Sequence, residues 1–146
     1  MATYSFLEVT ASLTGPTGVI DLGQGSANSE EGITQTMGGN KNTMTIGADG
    51  EVMHSLHADK SGTITVTLLK TSPVNKKLSL AYNAQSQSSA TWGNNVIVIR
   101  NTASGDISTV RSCAFQKQPD FNNAKEGGTV AWVFDCGKID QLLGEF

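Results

Sequence analysis

The sequence predicts a mainly β chain, a β-sandwich or half-barrel with one short α-helix laid against it. Three observations predict this. Gly, Ser, Thr and Asn supply 56 of the 146 residues, a vocabulary that suits pleated surfaces and tight connections. Several short segments alternate apolar and polar residues with a period of two, the mark of a strand with one buried face. Only one segment of any length, after Ser72-Pro73, carries clear helical spacing. The length is that of one ordinary domain, and no internal repeat is visible, so residues 1–146 are expected to form a single unit.

The elements follow in chain order. Leu7, Val9, Ala11 and Leu13 share one parity and predict a strand. Gly15-Pro16-Thr17-Gly18 turns the chain into a second short apolar segment at Val19-Ile20-Asp21-Leu22, and Gly23 to Gly32, with Glu30-Glu31 inside it, reads as a loop. After a flexible Gly38-Gly39-Asn40, a hairpin is expected. Thr43-Met44-Thr45-Ile46 alternates, Asp49-Gly50 is a strong type I′ turn pair, and Glu51-Val52-Met53-His54 leads away. This hairpin holds little bulky apolar material and would be poorly anchored in an isolated subunit.

Asp59-Lys60-Ser61-Gly62 is a turn, and Thr63–Leu68 then alternates strictly, with Ile64, Val66 and Leu68 on the core face and threonines on the other. Ser72-Pro73 reads as a helix N-cap followed by an N1 proline. Val74, Leu78 and Ala81 or Tyr82 continue a helix of about three turns that stops near Gln85. Val96-Ile97-Val98-Ile99 is apolar on both faces, so it belongs at the centre of a sheet. A strand from Ile107 to Phe115 follows, and then one in which Val130, Trp132, Phe134 and Cys136 point into the core. A short helical turn from Lys138 to Leu143 is expected to close the chain.

Charge and motif content narrow the function. Charged residues are 16% of the chain and the net charge is −3, with no basic block for a nucleic-acid backbone. No apolar run approaches the roughly 18–20 residues needed to span a bilayer, and the N-terminus shows no signal-peptide pattern. The two cysteines, Cys113 and Cys136, are too few for a disulfide-built scaffold and are expected as buried, reduced thiols that could lie on neighbouring strands. His54 and His57, three apart on a strand, point to opposite faces and cannot share a metal. Gly23-Gln24-Gly25 is a fragment of a phosphate loop without its remainder, and Glu30-Glu31 is explained by a solvated loop. No catalytic set, metal site or cofactor is therefore expected, and an enzyme is disfavoured.

Three stretches act as a set: Asp59-Lys60-Ser61-Gly62-Thr63-Ile64-Thr65-Val66-Thr67-Leu68, then Thr71-Ser72-Pro73-Val74-Asn75-Lys76-Lys77-Leu78, then Cys113 to Asp120 followed by Trp132-Val133-Phe134-Asp135-Cys136. In that order they resemble the tail tube proteins of bacteriophages, in particular those of contractile tails, whose fold is shared with type VI secretion tubes. The resemblance covers residues 59 to 137 well and the N-terminal part loosely. It implies homohexameric rings in which inner strands complete a continuous β-barrel, stacked into a tube. The helix would lie outside, a tail sheath protein around the tube, and a tape measure protein inside the lumen, through which DNA passes on ejection. It further implies a virion component assembled in the host cytoplasm, with a hairpin or loop reaching the next ring. The weakly anchored hairpin suits that arm, which makes Met44, Ile46, Asp49, Gly50, Val52 and Met53 the inter-subunit contact candidates. The alternatives are a baseplate or tail-terminator protein of the same fold, or a carbohydrate-binding β-sandwich, for which only Trp92 could serve as an exposed platform.

Overall fold

The computed structural model describes residues 2–146. A 3₁₀ turn at Phe6–Glu8, where the Leu7 N–H donates to Ser5 Oγ at 3.2 Å, leads into β1 (Val9–Gly15) and β2 (Gly18–Asp21). Leu7 therefore lies in a turn and is exposed, and the strand predicted from its parity begins only at Val9. β3 (Asn28–Met37), β4 (Asn42–Ile46), β5 (Val52–Leu56) and β6 (Gly62–Leu69) precede the helix α1 (Val74–Gln85). β7 (Asn95–Asn101), β8 (Ile107–Phe115) and β9 (Thr129–Leu142) complete the chain.

Seven strands form one sheet in the order β2-β1-β7-β8-β9-β6-β3, every pairing antiparallel. The sheet curls into a half-barrel, and β4 and β5 form a separate two-stranded ribbon. The expected faces hold. Ile64, Val66 and Leu68 of β6 are fully buried, as are Trp132 and Phe134 of β9. Val96–Ile99 lies in β7, inside the sheet between β1 and β8.

Two segments expected to be irregular or helical are strand instead. The supposed loop around Glu30-Glu31 is the first half of β3, an edge strand whose register against β6 shifts between Asn28 and Ile33. Its irregularity and polar composition hide the period of two. The supposed closing helical turn at Lys138–Leu143 is the second half of β9, paired with β8 through Leu142.

That second half begins at a corner. Val110 and Cys113 of β8 both face the core three residues apart, and so do Cys136 and Ile139 of β9. Both strands thus switch parity at the same level, where Ser112 stands at φ 55° opposite Gly137. A side chain at Gly137 would place its Cβ 2.9 Å from that of Ser112, so only glycine allows this close crossing. On one side of the corner β9 is flanked by β6, whose pairing ends at Gly62↔Cys136. On the other side β8 is flanked by β7, whose pairing starts at Asn95↔Cys113. The long β8–β9 ribbon therefore belongs to both walls of the half-barrel.

α1 covers the core with Val74, Leu78, Ala81 and Gln85. The Val74 N–H donates to Ser72 Oγ at 3.3 Å, and the helix starts one residue beyond the predicted proline. Each fully buried Leu or Ile, such as Leu13, Leu22, Ile64, Leu68, Leu78 and Ile97, stabilises the fold by about 1.5–3 kcal/mol. Beneath the helix, Phe115 is ringed by Tyr82, Trp92, Trp132 and Phe134 at centroid distances of 4.8–6.4 Å. The Trp132 indole N–H donates to Asn75 Oδ1 at 3.1 Å, tying β9 to the helix.

A polar knot lies at the C-terminal end of α1. Gln85 and Asn95, both fully buried, exchange amide hydrogen bonds of 2.9 and 2.8 Å. Gln85 also donates to Thr17 Oγ1, and Asn95 to the Cys113 carbonyl, each at 3.1 Å. Gly15 leaves room for it, since a Cβ there would fall 2.0 Å from Asn95 Oδ1. Helix, first turn, β7 and β8 meet at this one point, which the sequence reading missed. A lone Gln and a lone Asn show no pattern until the fold brings them together.

Candidate assembly surfaces

The contact candidates sit on the β4–β5 ribbon, which is an interrupted continuation of the β3–β6 pair. Gly38 N–H donates to Ser61 O at 2.9 Å, the chain opens through residues 39–40 and 58–60, and pairing resumes with His57 N–H donating to Lys41 O, also at 2.9 Å. Every residue of β4 is exposed, and so is every residue of β5 except half-buried Ser55. The register Met44↔His54 and Ile46↔Val52 places Met44, Ile46 and Val52 on one face, which Leu56 opposite Asn42 extends. Met53 lies on the other face, opposite Thr45 and among Thr43 and Ser55. The sequence-derived set therefore divides: three of its apolar members form a stripe with Leu56, and Met53 stands apart.

Asp49 and Gly50 occupy the tip, but not as the expected type I′ pair. That turn requires positive φ at both central residues, and of the two only Gly50, at φ 88°, has it. Instead Gly50 N–H donates to Gly47 O at 3.0 Å, closing a turn over Ala48-Asp49, and Gly50 adds a left-handed step. The Asp49 carboxylate accepts from the Glu51 N–H at 3.2 Å, and Gly47 N–H donates to Glu51 O at 2.8 Å. His54 and His57 point to opposite faces of the ribbon, pairing with Asn42 Nδ2 (3.2 Å) and Thr43 Oγ1 (2.6 Å) respectively. Among the described residues no three His, Cys, Asp or Glu side chains converge.

Two further surfaces are open. β2 and β3 form the two edges of the main sheet, so each carries one row of unshared backbone groups. Beside α1, the segment 116–128 arches over a cavity of about 730 Å³ floored by Val130 and Trp132 and rimmed by Asn75, Ser79, Pro119 and Phe121. Lys70 holds the arch by donating to Asn123 Oδ1 at 2.9 Å and to the Asn122 carbonyl. Trp92, the one residue offered for a carbohydrate platform, instead packs edge-on against Tyr82 at 5.8 Å within the aromatic cluster. Among the described residues no helix is long and apolar enough to cross a membrane.

The half-barrel with one covering helix is the fold of chains in contractile injection assemblies. A chain of the sheath–tube complex of an extracellular contractile injection system (PVC), in its extended state, matches with a TM-score of 0.58 and 13% identity, over 97% of this chain and 92% of that one. A chain of the PVC sheath/tube terminator matches with a TM-score of 0.60 and 13% identity, over 97% and 98%. A chain of the anti-feeding prophage cap, which terminates the tube of that particle, matches with a TM-score of 0.55 and 11% identity, over 99% and 95%. At such identities these likenesses show the fold. No curated protein matches the sequence significantly. The family model of the bacteriophage PhiTE tail tube protein matches residues 1–144, and this chain belongs to that family.

Proposed function

We propose that this chain is the repeating subunit of a bacteriophage tail tube, closing into hexameric rings that stack around a lumen conducting DNA. One observation carries the reading: a ribbon that leaves its own core and holds Met44, Ile46, Val52 and Leu56 exposed along one face. An isolated two-stranded ribbon is marginal in water, and ordering each residue costs roughly 1–2 kcal/mol of backbone entropy. Packing against a subunit of the adjacent ring offsets that cost. The open edges of β2 and β3 support lateral joining of neighbouring copies, which would remove both edges at once. The net charge of −3 favours passage of DNA without adhesion. The sheath–tube complex among the structural neighbours supports a sheath outside the tube, with a tape measure protein inside it before ejection. The subunit is a structural part and not an enzyme, assembles in the host cytoplasm and ends in the virion.

Electron microscopy of the purified protein tests this, with amide exchange alongside. Tubes of uniform width and indefinite length are expected, and single rings that never stack would instead mark a terminator or baseplate protein. Amides of residues 43–56 should exchange fast in the free subunit and slowly in the tube. Ile46→Asp combined with Val52→Asp should leave the subunit's melting unchanged and abolish stacking. Equal amide protection in both states, or tubes formed by the double variant, would refute the role of the ribbon.

A further inference from the structure

The main sheet contains a second chemical feature that tube assembly does not require. Cys113 and Cys136 stand directly opposite each other in β8 and β9, with Sγ atoms 3.7 Å apart, both buried and both free thiols. We propose that this pair is an oxidation site, converted by a two-electron oxidant such as hydrogen peroxide into a disulfide within the subunit.

The backbone already meets the geometric demand. Gln116 N–H donates to Val133 O at 2.9 Å, and the β8–β9 register runs unbroken from that level to Cys113↔Cys136. Hydrogen-bonded pairs recur at every second position of an antiparallel ladder, so the cysteines occupy a non-hydrogen-bonded pair. In such pairs the Cα atoms lie about 4.5 Å apart and the side chains lean together, and disulfides take Cα separations from about 4.4 Å upward. The sulfurs need only close from 3.7 Å to a bond of about 2.05 Å. The chain has only two cysteines, so within one subunit no other disulfide can compete.

The two thiols have different roles. Cys113 donates its hydrogen bond to Cys136, which pushes the Cys113 thiol up, with burial adding to the effect, and pulls the Cys136 thiol down. Cys136 is also the less deeply buried of the two. Its thiolate attacks one peroxide oxygen, the O–O bond breaks, and the departing hydroxide takes up the proton released by Cys136 and leaves as water. Cys113 then attacks the sulfur of the Cys136 sulfenic acid. The S–O bond breaks, and the Cys113 proton leaves with the hydroxyl as a second water. Two thiols are oxidised, and one peroxide is reduced to two waters.

The test uses the whole folded protein treated with hydrogen peroxide, then denatured in an alkylating reagent and weighed by mass spectrometry. The expected product has lost two hydrogens, takes up no alkyl group and yields one peptide linking Cys113 to Cys136. Its melting temperature should rise by on the order of 5–10 °C and return to the starting value with dithiothreitol. Cys113→Ser should stop at an oxidised Cys136 without a cross-link, and Cys136→Ser should leave Cys113 unmodified. Two alkylatable thiols after peroxide, sulfinic acids in the wild-type protein, a disulfide between two chains, or one formed only after denaturation would each overturn the proposal.

Discussion

Replacing Asn95 with alanine removes both amide bonds to Gln85 and the bond to the Cys113 carbonyl. Gln85 Oε1 is then left fully buried with no donor, since its amide group keeps only the bond to Thr17. An orphaned buried polar group costs about 1–3 kcal/mol, and each lost hydrogen bond about 0.5–1.5 kcal/mol. Asn95→Ala should therefore destabilise the subunit by about 2–4 kcal/mol. Gln85→Ala should cost a similar amount, because it strands the Asn95 amide in the same way. In the double variant neither amide remains to be orphaned. Its cost should fall short of the sum of the single variants by about 1–3 kcal/mol. Urea unfolding of the unassembled subunit, followed by tryptophan fluorescence, measures all four corners of the cycle. Costs that add to within about 0.5 kcal/mol would mean the two amides act independently, and the knot would not be a unit.

Trp132→Ala should destabilise by about 3–5 kcal/mol, since it empties the floor of the aromatic cluster and strands Asn75 Oδ1; an unchanged denaturation midpoint would show that this packing contributes nothing. The Asp59 carboxylate accepts from the Ser61 N–H at 2.8 Å, and hydrogen bonding to Ser61 holds its pKa below the usual 3.8. A carboxyl group whose pKa is depressed by folding adds stability above its unfolded pKa and loses it as pH falls through the folded value. Asp59→Asn should accordingly flatten the acid side of the stability curve below about pH 4, and a curve of unchanged slope there would count against the turn's contribution.

The strands read most clearly in the sequence are those with one face in the core and one outside it. Thr63–Leu68 and Val130–Cys136 alternate because a single wall of the half-barrel imposes one period throughout. β3 escaped notice for the opposite reason: as an edge strand with an irregular register, it buries only Gly32 among its ten residues. The end of β9 was misread as helical because the corner inserts an extra step. Cys136 and Ile139 face one core at a spacing of three, which mimics one turn of helix. The Asp49-Gly50 dipeptide signalled a reversal correctly, but the dipeptide alone could not show that Gly47 begins the turn. Of the contact candidates, exposure was legible from sparse apolar content. The sharing of one face by Met44, Ile46, Val52 and Leu56 required the register.

The corner at Ser112 and Gly137 has a consequence for the size of any closed assembly. β2 ends one wall of the half-barrel and β3 ends the other, and the hydrogen-bonded sheet passes from one wall to the other through the bent β8–β9 ribbon. The bend therefore sets the angle between the two open edges. When copies join edge to edge, each advances the sheet by that angle, and a ring closes only where a whole number of copies completes a full turn. Subunit number would then be a property of one backbone joint and not of the interface chemistry. Widening the joint by a few degrees per copy would add a member to the ring or leave it an open spiral.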